Sequence, residues 1–151
     1  MKKSKCVSLA TLLLNCNPVT MPVVAPILAP DGTEILVEES VYVKKAMAVW
    51  NNDRFTIYYN PGWMRFRVHP DAQTFVLFHE IGHIQQGHLG ENVYLSKQQK
   101  VDSEIEADCY AGLILKNNYH YNKEQLENVV EFLKDEMRDL DRADKFKRCV
   151  G

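Results

Sequence analysis

His79 and His83 are one helical turn apart, and Glu80 directly follows the first of them. The run Phe78-His79-Glu80-Ile81-Gly82-His83 has the form HExxH, and Pro70-Asp71 upstream opens a helix expected to run to about Gly87 or Gly90. On a helix, residues four apart project from one face, so both imidazoles can reach a single ion. Glu80 lies about 100° round the helix. From there its carboxylate can reach a water at that ion without ligating it. A chain of this composition contains about 0.01 HExxH matches by chance. Two histidines do not complete a metal site, so the rest of the chain has to supply a third ligand.

A metzincin would place a histidine six residues after His83 and a glycine between; those positions hold Leu89 and Gln86. His88 is one residue short and falls on another helix face, so it is not expected to ligate. The next helix is announced by Ser96 with Gln99, a capping box, and is expected to run through about Lys116. It offers Glu104 and Glu106, and periodicity chooses between them. Val101, Glu104, Ile105, Asp108, Ala111, Gly112 and Leu115 form one stripe expected to face the core. Asp102, Glu106, Cys109, Leu113 and Lys116 form the opposite, more polar stripe. Glu104 is therefore expected to point inward and Glu106 outward. A carboxylate turned into a core needs a partner, because burying it alone costs several kcal/mol.

Asp108 follows Glu104 by one turn on the same stripe. Zinc-bound histidines usually donate their second N–H to a carboxylate, and Asp108 is placed to receive it from His79 or His83. The expected site thus has three ligands, His79, His83 and Glu104, one zinc ion per chain, and Glu80 as base. A fourth coordination position left for water marks a catalytic rather than a structural zinc site.

The pair His79-Glu80-Ile81-Gly82-His83 and Glu104-Ile105-Glu106-Ala107-Asp108 resembles the gluzincin zinc peptidases. Its HEIGH…ExEAD form is similar to the ImmA/IrrE-type metallopeptidases and the compact minigluzincins. The resemblance covers residues 55–115. It implies an α+β zincin-like fold, with a small twisted sheet over an active-site helix, then a glutamate helix. It also implies zinc ligation by His79, His83 and Glu104, the base role for Glu80, and an edge strand above the zinc that pairs with substrate, expected at residues 55–59. ImmA-type proteins often cleave a transcriptional repressor; this chain carries no helix-turn-helix pattern. A tetrahedral oxyanion needs a donor besides the metal, and the candidates are Tyr119, His120 and Tyr121, just after the glutamate helix.

The rest of the sequence bounds the reading. With 151 residues there is room for one domain, residues 1–151, with an N-terminal segment over 1–32 that could be signal-like or lie along the cleft. A net charge of −2 argues against a nucleic-acid binder, and no apolar run reaches the roughly 18 residues of a membrane span. Lys2, Lys3 and Lys5 precede an apolar stretch at 7–14, but Asn15-Cys16-Asn17-Pro18 follows where a small-residue cleavage site would be. The expected location is cytoplasmic, or secreted or periplasmic if residues 1–16 act as a signal. Cys6, Cys16, Cys109 and Cys149 form no CxxC pair, which argues against a cysteine-only zinc site, and reduced thiols are expected.

Residues 33–43 have strand character, residues 44–50 suit helix or strand, and Phe55-Thr56-Ile57-Tyr58-Tyr59 reads as a strand stopped by Asn60-Pro61-Gly62. Leu126, Val130, Leu133, Met137 and Leu140 recur at spacings of three and four, so one last helix is expected from about Asn122 to Asp141 or beyond. The function these residues point to is a zinc-dependent endopeptidase acting on a protein or peptide. The alternatives are a zinc-binding regulatory or interaction protein with little proteolysis, and a zinc amidase on non-peptide substrates.

Overall fold

The computed structural model describes residues 27–151. The signal-like stretch, Cys6 and Cys16 lie outside the described residues. The fold is α+β, as expected: a three-stranded mixed sheet and five helices. The strands are β1 (Leu36–Glu39), β2 (Ala46–Asn51) and β3 (Arg54–Tyr59). The helices are α1 (Pro61–Arg67), α2 (Pro70–Gln85), α3 (Lys97–Asn117), α4 (Lys123–Asp135) and α5 (Leu140–Val150). No helix among the described residues is long and apolar enough to cross a membrane.

β2 and β3 form a hairpin whose register runs from Ala46 opposite Tyr59 to Asn51 opposite Arg54. Its two-residue turn puts Asn52 and Asp53 at φ 51° and 57°, the left-handed pair of a type I′ turn that suits the twist of the strands. β1 pairs in parallel with β3, so the sheet order is β1-β3-β2. Residues 55–59 are therefore the centre of the sheet and not its edge. β1 covers one side of β3 and β2 the other, so β1 and β2 are the two edge strands, and β2, where the sequence suits helix or strand, is the edge that runs beside α2. Phe55, Ile57 and Tyr59 are buried accordingly.

Asn60-Pro61-Gly62 ends β3 and at once starts a helix. Asn60 accepts the N–H of Trp63 at 3.0 Å, and Pro61 sits at the first helical position, where a missing N–H costs nothing. The helix α2 is buried on nearly every face, from Ala72 to Ile84. It runs between the sheet and the helices α3 and α4. Gly82 makes its crossing with α3 close: a Cβ there would lie 3.2 Å from the Ala107 backbone and 3.0 Å from the Tyr110 ring. The Ser96–Gln99 capping box opens α3 as the spacing predicts.

Two expectations fail beyond α3. The last helix is two: α4 ends at Asp135, Arg138 takes φ 53°, and Asp139 caps α5 by accepting the Arg142 N–H at 3.0 Å. The apolar spacing runs through the break without a Gly or Pro to mark it, and Leu140, counted as core, is 66% exposed. The turn sends α5 back across α3, where Gly112 gives the rings and methyls of Phe146 and Val150 room to approach. Cys109 and Cys149 are then brought together, with Cα atoms 5.8 Å apart, and are disulfide-bonded rather than reduced. The long-range return of α5, invisible in cysteine spacing, is what makes that pair.

Candidate metal centre

Along α2, His79 and His83 turn their Nε2 atoms to one point, 3.0 Å apart. Glu104, one side chain of α3, completes a triangle. Its Oε2 is 3.3 Å from His79 Nε2 and its Oε1 is 3.4 Å from His83 Nε2. Ligands held tetrahedrally at about 2.0–2.1 Å from one ion lie about 3.3–3.4 Å from each other. The three side chains can therefore hold a metal ion with little movement. Two neutral imidazoles and a carboxylate are a donor set suited to a borderline divalent cation.

The other ring nitrogens are committed elsewhere. His79 Nδ1 is 2.8 Å from Asp108 Oδ1, and Asp108 is almost fully buried. Arg142 of α5 donates to both oxygens of Asp108, Nε to Oδ2 at 2.7 Å and Nη2 to Oδ1 at 2.8 Å, and its Nη1 lies 3.4 Å from Glu104 Oε2. This guanidinium therefore locks Asp108 and leans on the Glu104 carboxylate together.

The electrostatics follow from these contacts. Burial pushes the His79 pKa down, but its bonds to Asp108 and Glu104 outweigh that and raise it to about 10. Burial pushes Glu104 up, and the two histidines outweigh it and hold the carboxyl below its usual range. Asp108 is likewise held low, against burial, by Arg142 and His79.

Glu80 is buried on the neighbouring face of α2, and its Oε2 accepts the backbone N–H of Ala48 at 2.8 Å. Ala48 belongs to β2, an edge strand. Around these groups opens a cleft of about 340 Å³, with His79, Glu80, His83 and Glu104 on its floor and Ala46, Met47 and Ala48 along one wall. Trp63, Phe132 and Met137 also line it, with the Lys45 ammonium 3.5 Å from Met137 Sδ and 5.9 Å over the Trp63 ring.

The glutamate helix sits close to its expected phase. Asp108, Ala111, Gly112 and Leu115 are buried and Glu106 is exposed, but Val101 is 48% exposed, so the buried stripe is rotated towards Ser103 and Ala107. Tyr119, His120 and Tyr121 are not brought to the cleft. The Tyr119 ring packs on Phe78, the Tyr121 hydroxyl donates to the Asp71 carbonyl at 2.9 Å, and His120 is exposed at φ 55°. Two further groups reach the His79–His83–Glu104 cluster, Arg142, which the sequence does not single out, and His88, which it sets aside as a ligand. Arg142 lay on what reads as a continuous amphipathic helix. His88 is 2.9 Å from His83 through their Nδ1 atoms; the glycine before it, Gly87, was the available signal.

Residues 64–142 match the family model of Peptidase U49, more than half of the chain. The chain belongs to that peptidase family. The matched stretch contains His79, His83 and Glu104, together with Glu80, Asp108 and Arg142. No curated protein and no solved structure matches the chain.

Proposed function

We propose that this chain is a zinc-dependent endopeptidase of the gluzincin type, with His79, His83 and Glu104 as the metal ligands and Glu80 as general base. The observation that carries this reading is the closed triangle of His79 Nε2, His83 Nε2 and Glu104 beside a buried carboxylate, on the floor of a cleft, in a chain of a peptidase family. Zinc held there would supply Lewis-acid polarisation of the scissile carbonyl and acidify the attacking water. Glu80 takes the proton of that water and passes it to the leaving amine. The Ala48 N–H holds one oxygen of Glu80 in place beside the cleft.

The hairpin register supports a binding mode for the substrate. In a two-residue hairpin the pair at the turn, Asn51 and Arg54, exchanges hydrogen bonds, and pairs alternate from there. Ala46, Ala48 and Trp50 then turn their backbone groups away from β3, towards the cleft side. A peptide can add along this edge as an extra strand, with its backbone recognised by hydrogen bonds and its side chains sorted by pockets.

The test is cleavage of an unfolded protein by the purified chain, stripped of metal and then reloaded. Internal cuts that vanish on chelation and return with zinc support the reading. Zinc uptake without any cleavage would support instead a metal-bound regulatory protein.

A further inference from the structure

We propose that His88 and Glu106 form a relay that sets the tautomer and ring orientation of His83, a positioning role distinct from that of Asp108 on His79. The proposal rests on the metal-centre reading above and adds residues to it. α2 ends at Gln86 in a Schellman turn. The Gly87 N–H reaches the Ile84 carbonyl at 3.2 Å, and the His88 N–H reaches the His83 carbonyl at 2.9 Å. Gly87 takes φ 73°, which a residue with a Cβ adopts only under strain. This turn brings the residue two past the cap back over the residue three before it. In most helices that contact is apolar; here it is His88 on His83.

With His88 neutral, the hydrogen bonds of this chain of groups have one consistent assignment. Glu106 Oε2 lies 2.8 Å from His88 Nε2, and a carboxylate only accepts. His88 therefore carries its proton on Nε2 and presents a bare Nδ1. That atom is 2.9 Å from His83 Nδ1, which must then be the donor. A histidine protonated on Nδ1 keeps a lone pair on Nε2, the atom that meets His79 and Glu104. With both its nitrogens engaged, His88 is a support and not a fourth ligand. Its side chain is 9% exposed, whereas Glu106 is 58% exposed. Glu106 thus points outward, as its helix phase predicts, and still reaches the site through an imidazole. Each ligating histidine has its own carboxylate: Asp108 directly for His79, and Glu106 through His88 for His83.

The experiment titrates zinc against a competing chelator into the metal-free wild type, His88→Ala, His88→Asn, Glu106→Gln and the double variant His88→Ala/Glu106→Gln. Circular dichroism of the metal-free proteins checks the fold. His88→Ala is expected to weaken zinc binding by about 10–100-fold, the usual cost of losing such a support. His88→Asn keeps an acceptor where Nδ1 lies and should recover part of that loss. Glu106→Gln should weaken binding in the wild-type background and change nothing further once His88 is alanine. Should His88→Ala fail to fold, His88→Asn and the exposed Glu106→Gln carry the comparison. Equal affinity in His88→Ala and wild type overturns the relay alone. So does a Glu106→Gln loss that persists in full without His88. A wild type that takes up no zinc overturns the metal-centre reading and the relay with it.

Discussion

The Ala48 N–H donates to Glu80 Oε2 at 2.8 Å, so the edge strand β2 and the helix α2 meet at the one carboxylate assigned as base. Because Ala48 is a non-hydrogen-bonded partner of Ile57, its N–H is not needed by the sheet. Ala48→Pro should therefore keep the fold and the zinc while lowering turnover by at least about 10-fold, a fraction of the 10²–10⁴-fold worth of a positioned base. Paired measurement of zinc content and cleavage rate checks this. Ile57→Pro is the contrasting variant: it strikes the central strand and should unfold the chain instead. Equal damage from both would mean that Ala48 serves the sheet and not Glu80.

Arg142 and Asp108 make a buried ion pair, with side chains 12% and 1% exposed. Arg142→Met leaves the carboxylate buried with one partner instead of two. Removing one member of such a pair costs about 3–5 kcal/mol. A chain of this length then melts roughly 10 °C lower. Thermal unfolding of the metal-free protein measures it, and an unchanged melting temperature would mean that water replaces the guanidinium at no cost.

The grouping of His79, His83 and Glu104 was legible in the sequence because much of it depends on local geometry. His79 and His83 share a face once residues 70–85 are helical, and Glu104 and Asp108 share one once the Ser96 box starts α3. What depended on tertiary return was not legible. Nothing in residues 55–59 says that β1 will pair on their other side and make them the central strand. Nothing in the spacing of Val130, Leu133 and Met137 marks the turn at Arg138, and with that turn hidden, Arg142 and Cys149 could not be placed against Asp108 and Cys109. The burial of α2 on nearly all sides also erased the amphipathic signal that would have shown which face met the sheet.

Zinc uptake should release a proton. His79 in the metal-free chain has its pKa raised from 6.5 to about 10, with its bonds to Asp108 and Glu104 overcoming burial. A histidine raised in the folded state stabilises the fold fully below 6.5 and loses that contribution as pH rises through about 10. Zinc needs the neutral ring, so near pH 7 it displaces about one proton, and affinity increases with pH across that window. Calorimetric titration in buffers of different ionisation enthalpy counts the protons. Release of none would place the metal away from His79.

The most direct test compares Glu80→Gln with Glu104→Gln. Each removes one negative charge at nearly constant volume. Glu80 faces the water in this account, and an amide cannot accept its proton, so turnover should fall by at least about 10²-fold while the chain keeps its zinc. Glu104 is a ligand, and its amide is a poorer donor, so that variant should lose zinc affinity and activity together. Zinc content and cleavage rate, measured on both proteins side by side, decide it. A Glu80→Gln chain with full zinc and almost no cleavage is the predicted result; one that still cleaves at the wild-type rate would contradict the assignment of Glu80 as the base.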